Sequence, residues 1–232
     1  MKLPPQDTHF KDPSSYQLSH YNTALAHTRK RRVAVDVGAH VGIHTQRLAQ
    51  DFEQVIAIEP LNTQYLVQNT QHLANVTIVS AGASDKPCTL YAHNPTHNNT
   101  NSGAWELNTT PSDKPVEVIT IDSLNLNDVD LIKIDTQGLE REVIEGARLT
   151  LQRCRPTVWI EDRGNLQQYM LEQHTYKNID AYMKEHYYVY ATATLTAAQA
   201  RLLSYRSVHD LTEQQIETIW GNPEQRKSSK KN

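Results

Sequence analysis

Apolar residues along this chain alternate between short β-branched runs and stretches in which they recur every three or four positions. The first run, Val33, Ala34, Val35 and Val37, stops at Gly38 and Gly42 and passes into helix-compatible sequence from Thr45 to Asp51. That pattern predicts strand, tight turn and helix. A second run, Gln54–Glu59, is closed by Pro60, and Leu61–Leu73 carries Leu61, Tyr65, Leu66, Asn69 and Leu73 near one helical face. Val76–Ser80 gives a third strand, Val116–Ile121 a further extended segment and Val129–Asp135 a fourth buried strand. An amphipathic helix is expected over Leu139–Leu151, followed by a fifth strand, Thr157–Ile160. Strands alternating with helices at this spacing predict βαβ units, hence an α/β fold on a mostly parallel sheet.

The rhythm breaks between residues 85 and 115, where Asn, His and turn formers predominate; this reads as a long substrate-facing loop with Trp105 as an aromatic lid. Beyond Gly164, helices are expected over Leu166–His174 and Asn178–His186, then a strand over Tyr187–Thr192. Helices from Ala197 and from Thr212 and a basic tail, Arg226–Asn232, end the chain. Met1–Lys30 is polar apart from a helix-compatible piece, Ser15–Thr28. The organisation is therefore an N-terminal extension (1–31), a central domain (32–193) and a C-terminal helical extension (194–232).

Composition narrows the function classes. In 232 residues, 23 basic against 26 acidic side chains leave a net charge of −3, which carries no electrostatic footprint for nucleic acid or a membrane surface. No apolar run is long enough to span a bilayer and Met1–Pro13 has no signal-peptide core, so a cytoplasmic protein is expected. The two cysteines, Cys88 and Cys154, are far apart and form no metal or disulfide pattern.

The glycine turn points to a ligand, because glycines let it approach the backbone while the new helix aims free N–H groups at it. His40 stands where a dinucleotide fingerprint needs its second glycine, and no lysine completes a Walker loop. Two carboxylates take their place, Asp36 at the mouth of the first strand and Glu59 at the end of the second, where a ribose-binding acid is expected. A cationic, ribose-bearing ligand, S-adenosylmethionine, fits them. His40 and His44 have helical i,i+4 spacing, but the turn at Gly42 between them argues against a zinc pair. His93 and His97 share that spacing with Pro95 between them, and are candidates for acceptor contact.

Val35-Asp-Val-Gly-Ala-His-Val-Gly42, Ala57-Ile-Glu-Pro60, Ala83-Ser-Asp-Lys86, Asn101-Ser-Gly103, Ile121-Asp-Ser-Leu124 and Lys133-Ile-Asp-Thr-Gln-Gly-Leu-Glu140 together resemble the FkbM family of S-adenosylmethionine-dependent methyltransferases. The resemblance implies a Rossmann-like class I methyltransferase fold, a seven-stranded-type sheet with helices on both faces. It also implies methylation of an oxygen on a small-molecule or glycan acceptor. It places Asp36, Gly38 and His40 at the methionine end of the cofactor, with Ala39, Gly42 and Pro60 completing the turn and strand edge. Glu59 falls at the ribose, Ala83 and Ser84 at the adenine, and Asp135 between cofactor and acceptor. Gln137 departs from the family's usual Glu, and His40 from its frequent Asn.

An alcohol acceptor must lose a proton, for which Asp135, Glu140 and Glu161 are the candidate bases and Lys133 a charge tuner. Alternatively a divalent cation such as Mg2+, held by Asp135 with Glu161 or Asp162, polarises the hydroxyl. Two other functions remain open at this level: an RNA-directed 2′-O-methyltransferase, and a binding or scaffold protein that kept the fold and lost catalysis, to which the Gln137 departure points. An NAD-dependent dehydrogenase is disfavoured by the turn.

Overall fold

The computed structural model describes residues 1–10, 12–95 and 100–161, Leu166 and Met170, and the backbone of 177–182 and 187–191. The main sheet and its helices follow in chain order: a leading α1 (Leu18–His27), β1 (Val33–Val37), α2 (Ile43–Asp51), β2 (Gln54–Ile58), α3 (Thr63–Thr70) and β3 (Val76–Val79), then β8 (Val129–Ile134) and β9 (Thr157–Glu161). Two short helices, α4 (Glu140–Glu145) and α5 (Arg148–Cys154), separate the last two strands, and β10 (Lys177–Tyr182) and β11 (Tyr187–Ala191) complete the sheet.

The sheet has the order β10-β11-β9-β8-β1-β2-β3. From β9 to β3 every pair is parallel, whereas β11 runs antiparallel to both of its neighbours. β1 lies at the centre and is buried along its whole length, which is why it reads as a continuous apolar run. Its side chains alternate between two cores. Val33, Val35 and Val37 join Ile132, Ile134, Val143, Ile144 and Leu151 on the face covered by α4 and α5. Ala34 joins Leu131, Trp159, Leu48 and Phe52 on the face covered by α1 and α2.

The segment expected to be one loop is partly ordered as sheet. β4 (Gly82–Ala83), β5 (Cys88–His93), β6 (Glu106–Asn108) and β7 (Pro115–Ile119) form a second, four-stranded sheet in the order β4-β7-β5-β6. Leu90, Ala92, Val116 and Val118 form its small core, against which Leu61, Trp105 and Leu139 pack. That contact seats the insertion on the loops that follow β2 and β8.

Two expected helices are corrected. Leu139–Leu151 is broken at Gly146, where the backbone passes so close to the Ser84 carbonyl that a Cβ would lie 2.0 Å from its oxygen. The second half restarts because the Asp122 carboxylate accepts the free N–H groups of Leu149 (2.9 Å) and Thr150 (2.8 Å). The helix expected over Asn178–His186 is strand β10, paired antiparallel with β11, since this edge of the sheet needs a partner that helical spacing alone does not reveal. Leu166 and Met170 are helical and buried in the main core, in step with the expected Leu166–His174 helix, but the rest of that helix, Asp162, His97 and the 194–232 extension lie outside the described residues.

Candidate active site

The parallel strands release their chains at one edge, and the turns there surround a cavity of about 430 Å3. That is within the usual range for a small-molecule site, at the usual place in an open α/β sheet. Gly38, Ala39, His40, Glu59, Pro60, Ala83, Lys133, Asp135 and Glu161, all expected site residues, line it.

Gly38 makes the first turn possible. Its φ is +73°, and a Cβ there would lie 1.8 Å from the Asp135 carbonyl oxygen, so the β1 and β8 turns meet only because the side chain is absent. Gly38 and Ala39 donate their N–H groups to the Ile58 carbonyl at 3.0 and 3.1 Å, which ties the turn to β2. Glu59, at the end of β2, accepts N–H groups from Leu61 and Asn62 on Oε1, both at 2.7 Å, and from His40 on Oε2 at 2.9 Å. Burial raises its pKa, against the lowering effect of those three donors. A carboxylate offers about four acceptor positions, so Oε2 keeps capacity for a ligand hydroxyl.

Four expected site residues are placed off the cavity wall. Asp36 is fully buried behind it, where Oδ1 pairs with the Lys133 ammonium at 3.1 Å and Oδ2 accepts the Thr45 hydroxyl at 2.7 Å. The reason is register: Asp36 and Lys133 are direct partners across the β1–β8 pairing. Lys133 also donates to the Gly38 carbonyl at 2.9 Å, bracing the turn. Burial alone would lower its pKa, but Asp36 and then Asp135 outweigh burial and raise it. Gly42 serves the turn from behind, with φ +92° and a virtual Cβ 2.9 Å from Leu66 Cδ1. The Ser84 hydroxyl donates to Asp85 at 3.2 Å outside the cavity. Glu140 folds back on its own turn, accepting Thr136 N–H (3.1 Å), the Thr136 hydroxyl (3.1 Å) and Gly138 N–H (3.0 Å), which makes it a helix-start residue rather than a base.

Asp135 and Glu161 do come together, through a residue that sequence reading had treated only as a departure. The Gln137 amide nitrogen donates to Asp135 Oδ1 at 2.7 Å and to Glu161 Oε2 at 2.9 Å. Gln137 holds φ +57°, an uncommon conformation for a side-chain-bearing residue and one that clusters at functional sites. Among the described residues, no group of three or more His, Cys, Asp or Glu is arranged to hold a metal ion.

The roof was the largest surprise. His9, Phe10, Tyr16 and Gln17 line the cavity from a polar N-terminal segment, joined by Asn101, Ser102, Gly103 and Trp105 of the insertion. Asp7 accepts the Ser102 N–H at 2.9 Å and also its hydroxyl, and the Ser102 oxygen lies 2.6 Å from His40 Nε2. Burial would raise the Asp7 pKa, but the Ser102 hydrogen bonds outweigh it and hold the acid low. The serine proton therefore goes to an ionised carboxylate, so His40 Nε2–H donates and Ser102 is no nucleophile. Burial pushes the His40 imidazole down to about 4, and His44 well below its ordinary value, so both rings are neutral near pH 7. The insertion side of this roof was expected as a substrate-facing loop with Trp105 as its lid, and Trp105 lines the cavity; the N-terminal side offered little signal beyond two aromatic residues, Phe10 and Tyr16, in an otherwise polar stretch. A second cavity of about 410 Å3 shares Leu61, Asn62, Ser102 and Trp105 with the first, and there the Lys114 ammonium stands 5.5 Å from the Trp105 ring centre. His93, expected as an acceptor contact, is instead at the Thr110 carbonyl (2.8 Å), off both cavities.

A seven-stranded sheet of this order, with the glycine turn, the strand-end acid and the cavity at its carboxyl edge, defines a class I methyltransferase fold. The methyltransferase FkbM domain matches residues 36–190, and the chain belongs to that family. The solved FkbM methyltransferase from Methylobacillus flagellatus KT aligns with a TM-score of 0.51 at 21% identity, over 69% of this chain. The match spans 43% of the length of that protein. An rRNA methylase from Streptococcus thermophilus aligns over 75% of this chain and 92% of its own, with 13% identity and a TM-score of 0.45. Precorrin-6y C5,15-methyltransferase from Geobacter metallireducens GS-15 gives 16% identity and 0.45, over 78% of this chain and 89% of its own. A search of curated proteins finds no match.

Proposed function

We propose that this methyltransferase uses S-adenosylmethionine to methylate a hydroxyl of a small-molecule or sugar acceptor. The single observation that carries the reading is the Asp135–Gln137–Glu161 cluster on the wall of a cavity that also holds the glycine turn and Glu59. The donor set fits the cofactor: Glu59 Oε2 has capacity for a ribose hydroxyl, and Ala39, His40 and Pro60 flank it on the same wall. When bound, S-adenosylmethionine supplies an electrophilic methyl on a sulfonium; the carbon–sulfur bond breaks with its electron pair left on sulfur as a new carbon–oxygen bond forms.

The chain's own residues then have three tasks. The turn residues hold the methyl donor in one orientation, which matters because an in-line displacement draws much of its rate from positioning. Asp135 accepts the proton of the acceptor hydroxyl. Gln137 keeps Asp135 and Glu161 hydrogen-bonded and apart, so the two carboxylates do not have to share a proton. Lys133 is spoken for by Asp36 and the Gly38 carbonyl, and contributes a fixed positive charge beneath the turn.

The test is calorimetric titration with S-adenosylmethionine, S-adenosylhomocysteine and NAD, followed by turnover of Asp135→Asn on an identified acceptor. Micromolar binding of the two sulfur ligands, loss of both in Glu59→Ala and a loss of turnover in Asp135→Asn are expected. Absence of sulfur-ligand binding would overturn the cofactor assignment, and an unimpaired Asp135→Asn would remove that residue as base.

A further inference from the structure

The cavity has a floor and a roof of different origin. The floor comes from the sheet edge within residues 36–190, the family domain, whereas Phe10, Tyr16 and Gln17 precede that domain altogether. They are nonetheless held firmly. Arg47 on α2 donates to the carbonyls of Pro13 (2.8 Å), Ser14 (2.8 Å) and Tyr16 (2.6 Å). Thr8 N–H reaches the Thr100 carbonyl at 2.9 Å, Asp7 holds Ser102, and Gln17 Oε1 lies 2.9 Å from His44 Nε2.

What these ties position is a run of rings. Phe10 meets Tyr16 edge-on with centroids 5.0 Å apart and lies tilted over the His40 ring at 5.1 Å, while Tyr16 lies 5.8 Å from His44. All four rings line the cavity that holds Asp135, Gln137 and Glu161. Aromatic faces give a ligand ring a large apolar contact at little entropic cost, and acidic and amide groups beside them read its hydroxyls. Among the described residues of this wall the charges disfavour an anion: Glu59, Asp135 and Glu161 are acids, and the ammonium of Lys133 is already held against Asp36.

We propose that His9, Phe10, Tyr16 and Gln17 form the ring-binding half of the acceptor subsite, and that the acceptor is an uncharged, hydroxyl-bearing ring of the glycoside class, stacked on Phe10 and Tyr16. This rests on the methyltransferase reading above and adds to it the acceptor's chemistry and the residues that select it. A nucleotide would also stack on such rings, but its phosphates would meet the acidic wall.

The experiment uses the full chain saturated with S-adenosylhomocysteine. Saturation-transfer NMR is recorded with methyl α-glucoside, methyl α-mannoside and methyl α-fucoside, with glucose 6-phosphate and adenosine 5′-monophosphate as the anionic arms. At least one neutral glycoside is expected to bind, more tightly than either anion, and to lose about tenfold in affinity in Phe10→Ala and in Tyr16→Ala. Phe10→Trp should retain binding, and calorimetry should show S-adenosylhomocysteine affinity within about twofold of the parent in all three variants. No signal from any neutral glycoside, preference for a phosphorylated probe, or unchanged glycoside affinity in Phe10→Ala would overturn the proposal. An equal loss of both ligands would reassign the rings to the cofactor. Failure of the parent protein to bind S-adenosylhomocysteine would be seen separately, and would count against the cofactor assignment itself.

Discussion

Replacing Lys133 by Met tests how the cofactor turn is supported. Lys133 and Asp36 are both buried, 3.1 Å apart, so the variant leaves a carboxylate in the sheet with one oxygen on Thr45 and no cation. Removing one partner of a buried pair costs about 3–5 kcal/mol, and the orphaned Gly38 carbonyl adds about 1 kcal/mol. Against a typical domain stability of about 5–15 kcal/mol, such a loss leaves the fold marginal. Removing both charges in Asp36→Leu/Lys133→Met should recover about 2 kcal/mol or more relative to the sum of the single changes, because the desolvation cost leaves with the pair. Urea unfolding of the four proteins measures this through the midpoint at constant slope. The pH window follows from the raised Lys133 pKa: its contribution is fully present below the unfolded value of about 10.4 and is lost as pH rises through the folded one. The penalty of Lys133→Met should therefore be the same at pH 6 and at pH 9. A single-variant loss under about 1 kcal/mol, or a double variant as unstable as the sum of its parts, would refute the reasoning.

Three further outcomes are expected. Gly38→Ala and Gly146→Ala, whose new Cβ atoms would stand 1.8 and 2.0 Å from backbone carbonyl oxygens, should each cost at least about 3 kcal/mol, whereas Gly138→Ala, with φ +120° and open space around it, should cost only the strain of about 1–3 kcal/mol; thermal melts rank the three. The depressed His40 imidazole means that the unfolded chain binds the extra proton first, so His40 by itself should cost on the order of 3 kcal/mol of stability between pH 6.5 and 4, and His40→Gln should make the slope of urea midpoints shallower while leaving the part due to His44. Gln137→Leu removes the donor shared by Asp135 and Glu161, a loss of about 1.5–3 kcal/mol for a hydrogen bond to a charged group, so turnover should fall by at least about tenfold with S-adenosylhomocysteine affinity kept, and unchanged turnover would show that the bridge does not position the pair.

What could be read in the sequence followed burial. β1, β2, β8 and β9 are covered on both faces and therefore appear as apolar runs, and the turn at Gly38 announces itself because only glycine tolerates the Asp135 carbonyl. β5 and β6 were hidden because their exposed positions and the Asn-rich connection between them resemble a loop. Asp36 was legible as a strand acid, but whether it faces a ligand depends on which residue of β8 falls beside it, and that register is a property of the pairing. Glu140 likewise follows a strand-end acid by five positions, and only the geometry of its turn separates a base from a cap. The N-terminal half of the roof was hidden for a further reason: its ties are single polar contacts between residues far apart in sequence, 95 positions in the case of Asp7 and Ser102.

That last feature sets an order of assembly. The N-terminal segment cannot dock until α2 presents Arg47, α3 presents Asn69 to Lys2, and the insertion presents Ser102. Its tie to the insertion spans 95 positions, so it closes at a larger entropic cost than a contact within one hairpin. Each tie is one hydrogen bond, but Arg47 alone makes three of them, so the segment is fixed by the sum of many small contributions. The covering of the cavity is thus complete only once the sheet edge and the insertion have both formed, so the fold comes first and the closed binding surface after it.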